Sequence, residues 1–463
     1  MRTGMPDFSS RTYAIAVVGL GKIGLPLAVQ YARHGHKVIG CDTNARVVKN
    51  LNLGKSHIQE EPELPREVSR LVSEGLLSAT TDTAEAVRAA DVVVVIVPVI
   101  IDAEHKMNAG QIDAATSAIG EGLQPGTLVI YETTLPVGTT SRHLRSLLER
   151  SSELRAGSDF YLAYSPERVS SRSIFRDLRT YPKIVGGIDE QSTSRATAFY
   201  RSVLDAEIIT VASTDEAEFV KLIETTYRDV NIALANEYAC YADAHGLNVH
   251  AAIAAANTQP YSHIHAPGVG VGGHCIPVYP YFLFANPYDD HQQATTRTLE
   301  LPRQARRIND DMAEYAVQRV EDTIGPLFSQ TVLILGVAYR GDVRETAFTS
   351  AKLLQEALKR RGALVYVDDP LFSESELRAL GYTVLPSGDE NKVDAIIFQC
   401  SHSLYQTFDF RSFRNCKAVL DGRRGLDQRS IEALGMRYIA IGDGHGEVTN
   451  SALSLPLLKS VVL

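Results

Sequence analysis

Cys275 stands in the run GVGVGGHCIP, residues 268–277, with His274 before it and glycines on its N-terminal side. Glycines leave the backbone free to approach a ligand closely. A thiolate in such a loop can add to an aldehyde and hold the adduct while a hydride is removed. Read alone, the stretch fits a small residue in a tight loop equally well. Cys400, at the end of the apolar run AIIFQC, reads instead as an inert strand cysteine. A second group with chemical potential is Gly19, Gly21 and Gly24, which spell GxGxxG after a β-rich run and at the start of a helical one. The first glycine permits a tight turn, the second lets a pyrophosphate approach the backbone, and the third allows close helix–strand packing. Asp42 ends the next strand, where a carboxylate accepts from both hydroxyls of an adenosine ribose. That carboxylate favours NAD over NADP. Arg46 either flanks the adenosine or is a solvated helix residue.

Two further residue types complete the chemistry. Lys221, Thr225 and Arg228 fall at i, i+4 and i+7, on one face of a helix. A lysine there is ordinarily a solvated charge; facing a cleft, it stabilises an alkoxide. Glu167 follows a strand and a proline, at the carboxyl edge of a sheet where α/β ligands bind.

The elements that must carry these residues follow from periodicity. TYAIAVV, HKVIGCD, DVVVVIV, GTLVIY, FYLAYSPE and KIVGG read as strands separated by helical patterns, with a helix over 25–34. This alternation predicts a parallel sheet with helices on both faces. From Ser213 to His245 the chain is helical, with Phe219, Leu222, Ile223, Val230, Leu234 and Tyr238 near one stripe. Ser213 and Glu216 have capping-box spacing, and Gly246 is a stop. A loop over 257–281 interrupts the helical region, which resumes near Leu301 and runs to Ile324. TVLILGVAY, ALVYVDD, KVDAIIFQC and KAVLDG then start a second alternating section. Its turn, GVAYRG, lacks the GxGxxG spacing, so a second dinucleotide is not expected there. Arg340, Arg344 and Arg423 are candidate anion contacts. The expected architecture is α/β: two Rossmann-like doubly wound domains, 1–212 and 327–463, joined by a long central helix and a helical middle domain, 213–326.

Composition limits the partners. At 463 residues the chain is too long for one core. A net charge of −9 disfavours nucleic acid and anionic membranes as partners. The five cysteines are scattered without metal-ligand or disulfide spacing, so no metal site is expected. The N-terminus has no apolar core of a secretion signal, and the run 92–101 is about half the ~20 residues that span a bilayer. It reads as a buried strand in a soluble, cytoplasmic protein. The 213–245 helix, near ~45 Å long, predicts at least a homodimer along its apolar stripe.

Over almost its whole length the chain resembles the UDP-glucose/GDP-mannose dehydrogenase family. The residues that carry the likeness are GLGKIGLPLA, TTLPVGTT, SPERV, KLIETTYRDVNIALANE, GVGGHCIP and VLILGVAYRGD. SPERV and YRDVNIA are most similar to the UDP-N-acetylhexosamine branch. The resemblance implies oxidation of a sugar CH2OH to a carboxylate with two NAD per turnover, in polysaccharide biosynthesis. Cys275 then traps the aldehyde and becomes a thioester, Lys221 stabilises the oxyanion, Glu167 assists the hydrolytic water, and Thr134 places water. Lys22, Ile23, Arg46, Pro98 and Thr134 join the glycines and Asp42 at NAD. Glu167, Arg168, Lys221, Thr225, Arg228, Gly268, Gly270, Gly272, Gly273, Tyr339, Arg340 and Arg423 are the implied contacts of the UDP-sugar.

Three positions depart from the family pattern. Tyr279 stands where an Asp is usual four residues after the cysteine, and Thr225 stands where an Asn is usual four residues after the lysine. PYSHIH replaces a segment that carries an arginine in many relatives, which brings Tyr261, His263 and His265 forward as substitutes. These changes leave UDP-glucose oxidation, a single oxidation, and non-catalytic nucleotide-sugar binding as alternatives. Cys275, Lys221, Glu167 and Thr134 together argue against the last.

Overall fold

The structure is a computed structural model that describes residues 12–58, 60–102, 106–284 and 299–444. The chain divides into two units, Met1–Glu224 with Tyr281–Thr298, and Thr225–Pro280 with Leu299–Leu463. In the first, the strands are β1 (Ala14–Val18), β2 (Lys37–Cys41), β3 (Leu77–Thr80), β4 (Val92–Val95), β5 (Ile100–Ile101), β6 (Met107–Asn108), β7 (Leu128–Tyr131), β8 (Tyr161–Tyr164), β9 (Lys183–Gly187) and β10 (Ile208–Thr210). Eight form one sheet in the order β10-β9-β8-β7-β4-β1-β2-β3, while β5 and β6 make a separate hairpin. The run β3-β2-β1-β4-β7-β8 is the doubly wound dinucleotide order, with its crevice between β1 and β4.

Period-2 alternation explains the continuous apolar strands. Ile15, Val17, Val92, Val94, Leu128 and Ile130 face one core with Leu25, Leu27 and Ala28 of the first helix, Gly24–Arg33. Their neighbours Ala16, Val18, Val93, Val95, Val129 and Tyr131 face the other, with Ile112, Ile119 and Leu148. Each such side chain contributes about 1.5–3 kcal/mol on full burial, so a strand covered on both faces gains at every position.

The second unit carries β11 (Thr331–Leu335), β12 (Leu364–Asp368), β13 (Ala395–Phe398), β14 (Ala418–Asp421) and β15 (Arg437–Ala440), all parallel, in the order β12-β11-β13-β14-β15. Its first turn repeats that of the first unit. Gly19 N donates to Cys41 O at 2.8 Å and Leu20 N to Asp42 Oδ2 at 3.0 Å. Correspondingly, Gly336 N donates to Asp368 O at 2.7 Å and Val337 N to Asp369 Oδ2 at 2.7 Å. The difference lies at the carboxylate: Asp369 is buried and its Oδ2 pairs with Nε2 of the buried His402 at 3.1 Å. A ribose-gripping group is thereby committed to the interior, the physical counterpart of the missing GxGxxG.

The two α/β sections expected from the sequence are present, with three differences of detail. β8 and β9 run antiparallel. The helix between them, Ile174–Thr180, is seven residues and about 10 Å long, too short to return the chain across the sheet for a parallel crossover. The apolar run 92–101 is not one strand: it breaks after Val95, and Ile100–Ile101 joins the hairpin. β3, β10 and β15 had no sequence reading, since each is short and partly solvated.

The long helix spans Thr214–His245, 32 residues and about 48 Å. Ser213 Oγ caps it, accepting from Glu216 N at 3.1 Å, while Glu216 Oε2 accepts from Ala212 N at 2.8 Å. Its polar side is the buried one: Glu218, Lys221, Thr225, Asp229 and Asn236 are all under 9% exposed. Of the predicted stripe, Leu222 is buried but Phe219, Ile223, Leu234 and Tyr238 are exposed.

Candidate active site

The glycine turn after β1 fits a dinucleotide. Gly19 has φ +97°, and a Cβ there would sit 2.9 Å from Ile96 O. At Gly24 a Cβ would lie 1.9 Å from Gly19 O, so the helix can start this close to the strand only without a side chain. At Gly21 a Cβ would meet nothing within 4 Å among the described residues, which leaves that backbone approachable. The helix has no side-chain cap at Ile23, so its N-terminal dipole is directed at an incoming anion. Asp42 is held by Leu20 N on Oδ2 and Asn44 N, 2.9 Å, on Oδ1, so the carboxylate is fixed at the end of β2 and each oxygen retains accepting capacity. Lys22, Arg46 and Pro98 are exposed around this turn, and Ile23 is half-buried.

At the carboxyl ends of β7 and β8, in the same unit, lies a charged cluster. Glu167 Oε1 accepts from Arg168 N at 2.6 Å and Val169 N at 2.9 Å, and its Oε2 accepts from Lys183 Nζ at 2.9 Å. Lys183 Nζ also donates to Glu132 Oε2 at 2.7 Å. Glu132 Oε1 accepts from Tyr200 OH at 2.7 Å and Tyr31 OH at 3.1 Å. Burial pushes both carboxyls up. For Glu132 burial prevails, and its pKa lies above the ordinary range. For Glu167 the Lys183 ammonium and the hydrogen bonds outweigh burial and hold it low. Glu167 is therefore ionised at neutral pH.

Lys221 Nζ donates to the main-chain oxygen of Glu167 at 2.6 Å, and the lysine is 7% exposed. One turn earlier on the helix, buried Glu218 accepts from Gly138 N at 2.6 Å, Thr140 N at 2.9 Å and Thr140 Oγ1 at 2.7 Å. Burial pushes the Glu218 pKa up to about 8 against those donors. The helix thus grips the TTLPVGTT loop that carries the buried Thr134. Arg168, expected at substrate, spends its Nε on Glu224 at 2.9 Å and its Nη1 on Pro182 O at 3.1 Å.

In the second unit the glycine loop before Cys275 packs on its own chain. A Cβ at Gly272 or Gly273 would lie 2.7 or 2.9 Å from Tyr339, one at Gly268 would lie 2.9 Å from Arg423 Nη1, and one at Gly270 would lie 2.8 Å from Ser350 Oγ. Arg423 donates to Gln399 O at 2.8 Å and to Gly270 O at 3.2 Å, so much of its donor set shapes the loop. Asn236 Oδ1 accepts from Gly268 N at 2.9 Å, tying the same loop to the long helix. Cys275 is half-buried, and its carbonyl accepts from Tyr279 N at 2.9 Å, so Tyr279 opens the helix Tyr279–Phe284 directly after the thiol. Thr225 is buried, Arg228 half-buried and Arg340 exposed. Tyr261 is 89% exposed. His265 is half-buried, its pKa lowered by burial and then by Arg228. Arg344, a candidate anion contact, is paired with Glu376 and Leu371 O.

Sequence reasoning missed Glu132, Lys183 and Glu218. The signal was present: Glu132 is a carboxylate at the end of the apolar run LVIY, and Lys183 opens the apolar run KIVGG.

Comparison with known proteins agrees along the chain. Residues 13–204 match the NAD-binding domain of the UDP-glucose/GDP-mannose dehydrogenase family, 215–311 its central domain, and 333–428 its UDP-binding domain. The UDP-N-acetyl-D-mannosamine dehydrogenase of Pyrococcus horikoshii is 35% identical over 441 residues, covering 94% of this chain and 100% of that protein. That of Campylobacter jejuni is 37% identical over 336 residues, covering 71% of this chain and 79% of that protein. Among solved structures, the P. horikoshii UDP-D-ManNAc dehydrogenase superposes with a TM-score of 0.82 at 34% identity, over 93% of this chain and 99% of that one. A UDP-glucose dehydrogenase from Pyrobaculum islandicum superposes with a TM-score of 0.83 at 27% identity, over 95% and 100%. With a dinucleotide turn that fits NAD, an ionised carboxylate beside a buried lysine, and these matches in order, the chain belongs to the UDP-glucose/GDP-mannose dehydrogenase family and is an NAD-dependent nucleotide-sugar dehydrogenase.

Proposed function

We propose that the enzyme oxidises the C6 hydroxymethyl of a UDP-N-acetylhexosamine, UDP-N-acetyl-D-mannosamine first among them, to the uronic acid, with two NAD per sugar. The observation that carries this reading is the seat of buried Lys221 on the main-chain oxygen of Glu167, the residue whose carboxylate is held as an anion by Lys183 and two main-chain amides. The names of the P. horikoshii and C. jejuni relatives support the choice of sugar.

Gly19, Gly21, Gly24 and Asp42 would hold NAD, which would supply the hydride acceptor. Lys221 stabilises negative charge on the C6 oxygen, a preorganised cation worth most where water is scarce. Cys275 Sγ adds to the aldehyde carbon as a thiohemiacetal and, once that carbon has given up the second hydride, retains the acyl group as a thioester. Glu167, aided by Thr134, removes a proton from the water that hydrolyses it. Tyr279, in the usual place of an Asp, holds water or sugar through its hydroxyl, and Thr225 takes the place of the usual Asn. The glycine loop, Tyr339, Arg340 and Arg423 face the nucleotide sugar, with Arg168, Arg228, Tyr261 and His265 completing the contacts. Gly268, Gly270, Gly272 and Gly273 serve this role by letting the loop lie against Arg423, Ser350 and Tyr339.

The same proposal divides the chain at 212/213 and 326/327, makes it at least a homodimer along the long helix, and locates it in the cytoplasm. The five free cysteines suit a reducing compartment. Among the described residues no helix is long and apolar enough to cross a membrane.

The test is a panel of UDP- and GDP-sugars with NAD, counting NADH per acid. Two NADH per acid with a UDP-N-acetylhexosamine supports the reading, and one NADH with aldehyde as product supports the single-oxidation alternative that Tyr279 raises. Cys275→Ser should stop acid formation; unchanged steady-state acid production would remove the cysteine from the mechanism.

A further inference from the structure

The carboxylate assigned to hydrolysis presents a chemical difficulty. Lys183 and two main-chain amides stabilise Glu167 as an anion, which makes it a weak base. A lone Glu167–Lys183 pair is neutral, and protonating it would leave a net positive charge on groups that are under 10% exposed. The cluster contains a third charged member that changes this balance. Glu132 is 1% exposed, shares the Lys183 ammonium, and approaches Glu167 closely enough for a proton on one carboxyl to bond the other. Two carboxylates around one ammonium carry a net charge of minus one. Taking up one proton makes the cluster neutral, so it can accept a proton without placing net positive charge in a buried setting.

We propose that Glu132 and Lys183 are positioning residues for Glu167: Lys183 pins its carboxylate, and Glu132 receives the proton that Glu167 takes from the hydrolytic water. This rests on the reading of Glu167 as the hydrolytic carboxylate. The step balances as follows. The water oxygen bonds to the acyl carbon, the carbon–sulfur bond breaks, and its electron pair returns to Cys275 Sγ. One water proton passes to Glu167 and on to Glu132, and the acid product releases its other proton to solvent. Glu132 then returns its proton to solvent by the same path. The two carboxyls titrate as a coupled pair, in which the proton comes to rest on Glu132 after passing through Glu167.

The surroundings of Glu132 suit a proton acceptor. Tyr31, from the first helix, and Tyr200, from the helix Glu190–Val203, both donate to its Oε1. Lys183, from β9, donates to Oε2, and Glu167 approaches from the segment after β8. Burial pushes Tyr31 and Tyr200 well above their ordinary pKa, so neither loses its proton near neutral pH. Glu132 is accordingly the group facing this cluster that is set to change protonation there.

The experiment uses the full-length enzyme with NAD and the UDP-sugar that wild type oxidises, and the variants Glu132→Gln, Lys183→Arg and Glu132→Asp. In Glu132→Gln the first NADH should form at near wild-type rate while hydrolysis slows by on the order of 10–100-fold, below the full loss of a general base. Intact-mass spectrometry should then show the acyl adduct accumulating on Cys275. The acid limb of the hydrolysis pH profile should move to lower pH, because Glu167 is held low by Lys183. In the ligand-free protein, the protonated-carboxyl infrared band near neutral pH should weaken in Glu132→Gln. Lys183→Arg, which keeps a bridging cation, should retain most of the hydrolysis rate. If Glu132→Gln does not fold, Glu132→Asp keeps the charge but withdraws it from Lys183 and should show the same adduct. Folded variants with no adduct and an unchanged pH profile would overturn the proposal. Wild type giving neither NADH nor acid from any sugar would instead overturn the functional reading beneath it.

Discussion

Lys221 donates from Nζ to the carbonyl oxygen of Glu167 at 2.6 Å. A helix lysine is usually free to wave in solvent; this one is buried, with its ammonium seated on a loop before any ligand arrives. The arrangement predicts that Lys221→Met lowers kcat for the first oxidation by roughly 10²–10³-fold, the scale of one lost electrostatic stabiliser in a preorganised site. Stopped-flow NADH formation checks it. A loss expressed as a raised KM with kcat intact would mean that the lysine binds ground state and transition state alike.

Asp42 sets the choice of cofactor. A 2′-phosphate would face its carboxylate at close range, and like-charge juxtaposition costs several kcal/mol. NADP should therefore support kcat/KM at least about 10²-fold below NAD. Because Asp42 also accepts from Leu20 N and Asn44 N, Asp42→Asn is the gentler probe. It should narrow the NAD/NADP gap without unfolding the turn. Equal kcat/KM for both cofactors in wild type would refute the assignment.

The legibility of the molecule was uneven, for physical reasons. The GxGxxG turn, Asp42 and the apolar strands were readable because each depends on neighbours within one β-α-β unit. The Ser213 cap and the length of the helix were readable because they are local as well. What is buried on that helix was not. Period 3.6 identifies a stripe, but Phe219 and Ile223 are exposed while Glu218 and Lys221 are buried, the reverse of the usual sense. Only tertiary partners such as Gly138 and the Glu167 carbonyl make that inversion intelligible. The Glu132–Lys183 pair was hidden likewise: 51 positions separate the two residues in the chain.

Glu218 gives stability a pH dependence whose sign is fixed by its raised pKa. Its folded value, about 8, lies above the ~4.3 of an unfolded glutamate. The folded state thus binds the proton more tightly, and the stabilisation present below the unfolded pKa is lost as pH rises through about 8. The Tm of wild type relative to Glu218→Gln should fall steadily between about pH 4 and pH 8. Groups common to both proteins cancel in that difference. A constant gap would mean that the three donors from Gly138 and Thr140 keep Glu218 ionised throughout.

The outward face of the long helix makes the last prediction. Phe219, Ile223, Tyr227, Leu234, Tyr238 and Tyr241 are 40–59% exposed and recur at spacings of three, four and seven, so they form one stripe. The stripe is about 33 Å long. Roughly half-exposed aromatic and aliphatic side chains of this number present about 600 Å², near the upper limit for a monomer's largest apolar patch. A standard interface buries about 800 Å² per partner, so one matching helix plus its flanks suffices. Two-fold symmetry lets the same stripe serve both copies. Light scattering should therefore give a dimer for wild type. Ile223→Asp with Tyr238→Asp should give a monomer with unchanged helix content, since neither side chain is in the core. A wild-type monomer at micromolar concentration, or a dimer indifferent to both aspartates, would place the interface elsewhere.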